Sequence, residues 1–262
     1  MKVSVNGIDI HYTVDGEGPW VVLSHSLACN VHMWDEETRR LSRSFKVLRF
    51  DTRGHGASSA TSGPYTFDLL ADDLYGLLKA LEIPSTHFVG LSMGGMIGHA
   101  FAIKYPGVFT SLALCDTTSR YPAQVAAERH ARIEIAQTKG MEALVEQQLG
   151  RWVTGQFMKE RPDVVSKLEG MIRSTSVPGY VGCTLANMNV NFTERLKEIR
   201  CPTLDLVGDQ DRATPVAMAE VMHRAISGSE LAVIASAPHL ANIEQPDAFN
   251  GVLGQFVDNV VR

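Results

Sequence analysis

The chain has 262 residues, 45% of them hydrophobic and 20% charged, and its 24 Lys and Arg against 29 Asp and Glu give a formal charge of −5. A chain of that length buries roughly 70–75% of its unfolded surface in one or two cores, and without a basic run it offers no stripe for phosphates, so nucleic acid is not an expected partner. The N-terminus lacks the apolar core of a signal peptide and no later run approaches the roughly 20 apolar residues of a membrane span, so a cytoplasmic protein with no membrane partner is expected.

Residues 1–7 alternate like a strand, and short β-branched runs follow at 8–14, 20–25, 46–51, 86–91, 110–116, 203–208 and 231–235. The last four are largely apolar instead of cleanly alternating, as parallel strands covered on both faces should be. Helical periodicity appears over 67–81, where Leu70, Leu74, Leu77, Leu78 and Leu81 share a face, and over 93–105, 216–226 and 245–260. Strands alternating with helices predict an α/β fold with right-handed crossovers: a mostly parallel, twisted sheet flanked by helices.

Between 119 and 197 the rhythm changes to helical patterns at 123–138, 141–152 and 162–174, with no convincing strand. The expected organisation is a core domain of 1–118 and 198–262 with a helical cap, 119–197, inserted in it. An insertion at the C-terminal edge of the sheet would roof the place where α/β proteins bind ligands. Cys29, Cys115, Cys183 and Cys201 form no C-x-x-C pair, so neither a disulfide frame nor a metal site is expected.

The run Gly90-Leu91-Ser92-Met93-Gly94 falls where the strand 86–91 gives way to the helix 93–105. Alone, G-x-S-x-G fits a glycine-rich turn equally well. On a strand-to-helix turn it matches the nucleophile elbow, in which a strained serine projects its oxygen beside a helix N-terminus while flanking glycines avoid clashes. A serine hydroxyl also needs a histidine base held in one tautomer by a carboxylate.

The elbow resembles that of the α/β-hydrolase fold, whose chain order is Ser, acid, His. The acid is expected at Asp211, at the turn before the helix that Pro215 begins. Asp209 would more naturally hold the loop, and Asp116, at the end of strand 110–116, is an alternative acid position. The base is expected at His239, in the loop Ser236-Ala237-Pro238-His239 that precedes the last helix. His25 and His55 read as loop-organising residues and His99 as core packing. The oxyanion hole requires two backbone amides: that of Met93, and one after strand 20–25, assigned to Leu27. Where many hydrolases carry His-Gly, this chain has His25-Ser26, whose hydroxyl either adds a donor or hydrogen-bonds the loop.

Nearly the whole chain resembles the 3-oxoadipate enol-lactonase family. The resemblance rests on Leu23-Ser24-His25-Ser26-Leu27 with His32-Met33-Trp34, Phe50-Asp51-Thr52-Arg53-Gly54-His55-Gly56-Ala57-Ser58-Ser59, Gly90-Leu91-Ser92-Met93-Gly94-Gly95-Met96 and Gly150-Arg151-Trp152. It implies hydrolysis of a small acidic enol-lactone in aromatic catabolism, with no cofactor. A substrate carboxylate needs a partner, which Arg151 could provide beside an apolar wall from Trp152. An exposed helix arginine is the competing reading. This chain also has Met188-Asn189 where the family tends to carry Arg-Asp, a change that favours a neutral ester over a doubly polar substrate. A broad carboxylesterase for short esters is therefore the runner-up, and a ligand-binding protein that keeps the fold without turnover is the reading from another class. A second copy of the chain is a candidate partner.

Overall fold

The structure, a computed structural model, describes residues 1–261. Its strands are β1 (Lys2–Val5), β2 (Ile8–Asp15), β3 (Trp20–Ser24), β4 (Lys46–Phe50), β5 (Thr86–Leu91), β6 (Phe109–Cys115), β7 (Thr203–Gly208) and β8 (Glu230–Ile234). They form one eight-stranded sheet in the order β1-β2-β4-β3-β5-β6-β7-β8. The β1–β2 and β2–β4 pairs are antiparallel and the other pairs parallel. The apolar runs read as two-sided strands are buried throughout in β5 and β7, whereas β8, at the edge, is mostly part-exposed.

Helices α1 (Asp35–Leu41), α2 (Phe67–Ala80) and α3 (Met93–Lys104) precede β6. The α2 stripe Leu70, Leu74, Leu77 and Leu78 is buried, and Thr66 caps the first turn by accepting the Leu69 amide at 3.1 Å. Leu81 is the residue that closes α2 instead of belonging to it. Helix α3 is buried from Met93 through Ala102 because it lies against β5 and β6 on one side and α2 on the other.

Between β6 and β7 run α4 (Ala126–Lys139), α5 (Val145–Trp152), α6 (Gly155–Glu160), α7 (Pro162–Ser174) and α8 (Val177–Met188). Single 3-10 turns at Ala123–Val125 and Met141–Leu144 lead into α4 and α5, so the helices expected from 123 and 141 begin later than their periodicity implied. Helices α6 and α8 were not anticipated. In α8 the proline and two glycines of VPGYVGC dilute the signal, yet Pro178 sits in the first turn, where no amide is required, and Ser176 accepts the Gly179 amide at 3.1 Å. Gly179 packs directly on Gly54, so close that a Cβ on either would overlap the other's backbone. After β7 come α9 (Val216–Ala225), α10 (Ala241–Glu244) and α11 (Pro246–Val261).

Candidate active site

Parallel register brings the C-terminal ends of four strands to one edge: Ser24 pairs with Gly90, Leu91 with Cys115, and Cys115 with Leu206. Ser92 follows β5 at that edge with φ 56° and ψ −113°, a left-handed conformation costly for a residue with a Cβ. Close packing enforces it. A Cβ on Gly94 would overlap the Ser24 carbonyl, and one on Gly90 would overlap Gly94, so the turn closes only with glycine at both positions. The Ser92 amide continues the ladder to the Cys115 carbonyl at 2.9 Å, and its carbonyl accepts the Thr117 hydroxyl at 2.7 Å.

His239 Nε2 lies 3.0 Å from Ser92 Oγ, and His239 Nδ1 lies 2.8 Å from Asp211 Oδ2. An ionised carboxylate only accepts, so the proton sits on Nδ1, and Nε2 is left as the acceptor for the Ser92 hydroxyl. Asp211 is itself fixed. Its Oδ1 accepts the amides of Ala213 at 2.7 Å and Thr214 at 3.0 Å, and Oδ2 accepts the Thr214 hydroxyl at 2.6 Å. Burial would raise this carboxyl, but the charge and hydrogen bond of His239 and the bonds from Thr214 outweigh it and hold it below the usual carboxylate range. Thr214 was not foreseen; its only sequence signal is a hydroxyl three residues after an aspartate at a turn.

The other acids do different work. Asp209 Oδ1 accepts the Ala237 amide at 3.2 Å and ties the loop of β7 to the loop that carries His239. Asp116 takes φ 43°, is fully buried, and accepts the Gly208 amide at 2.8 Å without touching His239. Burial, reinforced by the negative charge of Asp211, pushes the Asp116 carboxyl well above its usual value.

The Leu27 amide donates to no acceptor among the described residues, and that of Met93 opens α3, where no carbonyl one turn earlier is available. His25 Nε2 accepts the Thr52 amide at 2.9 Å, which places the ring proton on Nδ1, 2.7 Å from the Ser26 carbonyl. A peptide's C=O and N–H point in opposite directions. By binding the Ser26 carbonyl, His25 therefore turns the Leu27 N–H the other way. The Ser26 carbonyl, which also accepts the Cys29 amide at 3.1 Å, organises this loop. Beneath it, Asp51 accepts the amides of Val31 and Ala57 at 2.8 and 2.9 Å. His55 Nδ1 lies 3.2 Å from the Arg53 carbonyl and its ring 5.3 Å from His25, so it organises its loop, whereas His99 packs 6.0 Å from Phe192; burial pushes both imidazoles down to about 3, so both are neutral.

Arg151, the expected carboxylate partner, is already paired: its Nη1 donates to Glu128 Oε1 at 2.6 Å. It lies on the wall of a cleft of about 920 Å³ shared with Asp211, Arg212 and Pro238. Trp152 is buried, and its carbonyl accepts the amide of Leu240, next to His239, at 3.0 Å. At the end of α8, Asn189 is exposed and bonds back to the Leu185 carbonyl at 2.8 Å. Among the described residues, no group of three or more His, Cys, Asp or Glu could hold a metal ion, and no helix is long and apolar enough to cross a membrane.

A family model described as the alpha/beta hydrolase fold matches residues 19–246. The 3-oxoadipate enol-lactonase 2 of Acinetobacter baylyi is 33% identical over 250 residues, which cover 95% of this chain and 92% of that protein. Among solved structures, the enol-lactonase from Burkholderia xenovorans LB400 superposes with a TM-score of 0.94 at 36% identity, covering 98% of this chain and 100% of its own. A thermophilic esterase from Thermogutta terrifontis with malate bound gives a TM-score of 0.93 at 30% identity, covering 99% of this chain and 98% of its own.

Proposed function

Because the chain belongs to the α/β-hydrolase family, we propose that this carboxylic ester hydrolase works through a serine acyl-enzyme and that its substrate is 3-oxoadipate enol-lactone. The observation that carries the reading is the continuous line from Ser92 Oγ through His239 to Asp211, with contacts of 3.0 and 2.8 Å. The relatives named above as enol-lactonases supply the substrate.

In the first half-reaction His239 Nε2 takes the Ser92 proton as Oγ bonds to the lactone carbonyl carbon. The negative charge that forms on the carbonyl oxygen is met by the amides of Leu27 and Met93. Losing one such donor costs roughly 3–4 kcal/mol of transition-state stabilisation. Asp211 holds the imidazole in the tautomer that can accept this proton and stabilises the imidazolium. When the ring C–O bond breaks, His239 returns its proton to the enol oxygen, which remains attached through the acyl chain. A water then gives a proton to His239 and adds its oxygen to the acyl carbon, and collapse returns that proton to Ser92. The residues between β6 and β7 serve in this reading as the cap over the site.

The test is steady-state hydrolysis of 3-oxoadipate enol-lactone beside p-nitrophenyl acetate and butyrate, with Ser92→Ala as the blank. The expected result is kcat/KM for the lactone above roughly 10⁴ M⁻¹ s⁻¹, within the range of evolved enzymes, with the esters far behind. Ester turnover without lactone turnover would make the protein a carboxylesterase for short esters. A single slow event per Ser92 with every substrate would make it a binder.

A further inference from the structure

His239 reaches Ser92 on a loop that leaves β8, an edge strand buried only at Ile234, so no second neighbouring strand steadies the start of that loop. Ala237 ties the loop to the turn that carries Asp211: its amide donates to Asp209 Oδ1 at 3.2 Å and its carbonyl accepts the Gln210 amide at 2.9 Å. Beyond His239 the chain turns at once into α10, where the amides of Ile243 and Glu244 both return to the Leu240 carbonyl, at 3.0 and 3.1 Å. Whatever fixes α10 therefore fixes the residue next to His239.

Two side chains of α10 fasten it to different parts of the molecule. Asn242 is buried, and its Nδ2 donates to the Met33 carbonyl at 3.2 Å and to Glu37 Oε2 at 3.3 Å. Glu244 reaches the joint between α5 and α6, where its Oε2 accepts the Thr154 amide at 2.9 Å and its Oε1 accepts the Thr154 hydroxyl at 2.5 Å. Thr154 Oγ1 in turn accepts the Phe157 amide at 3.1 Å and caps α6. Both oxygens of one carboxylate thus grip a residue 90 positions away, a two-point contact that sets orientation as well as distance. The Leu240 amide reaches the Trp152 carbonyl beside it, at 3.0 Å. Thr154 and Pro238, the residue before His239, both line the cleft of about 920 Å³, so the clamp bridges two segments that the open space beside them leaves free to part.

Resting on the acyl-transfer reading above, we propose that Glu244 is a positioning residue for His239. By holding Thr154 with both carboxyl oxygens it sets α10, and through Leu240 it sets where His239 Nε2 lies relative to Ser92 Oγ, 3.0 Å away. The three members of the line are held in different ways. Packed glycines lock the Ser92 turn and the Ala213 and Thr214 bonds lock Asp211, whereas His239, apart from its bonds to those two, depends on contacts made by its neighbours in sequence. A catalytic group displaced by about 1 Å costs up to about 100-fold in rate, so loosening this seat is read in turnover.

The experiment measures p-nitrophenyl butyrate hydrolysis by wild type, Glu244→Ala and Glu244→Gln, and repeats Glu244→Ala in the His239→Ala background. Glu244→Ala should lower kcat about tenfold or more with KM changed less than about threefold, since misplacing the base weakens the transition state more than substrate binding. Glu244→Gln keeps an acceptor for the Thr154 amide but meets the hydroxyl with an N–H. It should lose about two- to fivefold, and it stands as the test if Glu244→Ala does not fold. With His239 already removed, Glu244→Ala should change the residual rate less than about twofold, because residues that act as a unit are not additive. The Nδ1 proton that His239 donates to Asp211 gives a second readout in far-downfield proton NMR, assigned by its loss in Asp211→Asn, and it should weaken or shift in Glu244→Ala. A kcat that both Glu244 substitutions leave unchanged, an equal loss in both backgrounds, or an Nδ1 proton that Glu244→Ala leaves unmoved overturns the positioning role while ester hydrolysis by Ser92 stands. A wild type that turns over no ester or lactone, with an Nδ1 proton that still responds to Glu244→Ala, would instead overturn the acyl-transfer reading and keep the role of Glu244.

Discussion

Two buried aspartates, Asp116 and Asp211, lie at the same edge of the sheet, and only their surroundings assign them different roles. Asp211 accepts from Ala213, Thr214 and His239, which favours its anion, whereas Asp116 accepts one amide and has an unpartnered Oδ2. Burial and the adjacent Asp211 charge push the Asp116 carboxyl well above its usual value. Asp211→Asn should therefore reduce kcat by roughly 10⁴-fold, because an amide permits the wrong imidazole tautomer. Asp116→Asn should change kcat less than about threefold, since asparagine tolerates the positive φ and can still accept from Gly208. Initial rates on one ester check both. Ser92, Asp211 and His239 were legible in the sequence because each follows a strand at a turn whose residues define it. Thr214 and the His25 tautomer were not, because a hydrogen bond across a loop leaves no periodic trace. Arg151 was the natural partner for a carboxylate by position, but in space Glu128 occupies it.

At the scale of elements, β7 contains a group at odds with its surroundings. Asp205 is fully buried in the middle of the strand; both carboxyl oxygens lack hydrogen bonds among the described residues, and the nearby Ser229 hydroxyl is engaged with His223. Burial pushes its carboxyl up to about 7. The folded state therefore holds this proton more tightly than the unfolded chain. Stability is greatest below the unfolded value near 4 and falls as pH rises toward 7, levelling off above it. Asp205→Asn removes that dependence. In urea unfolding, the stability of the variant relative to wild type should grow by roughly 2–3 kcal/mol between pH 5 and pH 8, at 1.36 kcal/mol per pH unit up to the folded value. A constant difference across that range would refute the assignment. The strands were readable because parallel pairing buries both faces and leaves unbroken apolar runs. Helix α1, seven residues long with five of them charged, and α8, with its proline and glycines, were not readable, because their stability comes from contacts distant in sequence.

For the molecule as a whole, the segment between β6 and β7 is seated on the rest of the chain by a few close contacts. Gly54 lies against Gly179, Trp152 bonds to Leu240, and Glu244 accepts the Thr154 amide at 2.9 Å. Gly179→Ala would drive a methyl into the Gly54 backbone. Overpacking of about 1–3 kcal/mol and roughly 2–4 °C per kcal/mol give an expected Tm loss of several degrees. kcat should change less than about threefold, because the Ser92–His239–Asp211 contacts involve no residue of α8. Thermal unfolding with paired kinetics checks this. A Tm within a degree of wild type would mean that α8 can tilt away without cost.

The Ser92–His239 bond joins residues 147 positions apart, whereas His239 and Asp211 are separated by 28. A break anywhere in the segment between β6 and β7 would leave Ser92 on one fragment and both of its partners on the other. On the acyl-transfer reading, neither fragment is expected to turn over ester alone. Mixing them would restore activity only as the β6–β7 ladder of Leu112 with Thr203 through Cys115 with Leu206 formed again. The rate at which colour develops from a chromogenic ester would then act as a clock for the reassociation of two halves of a split enzyme.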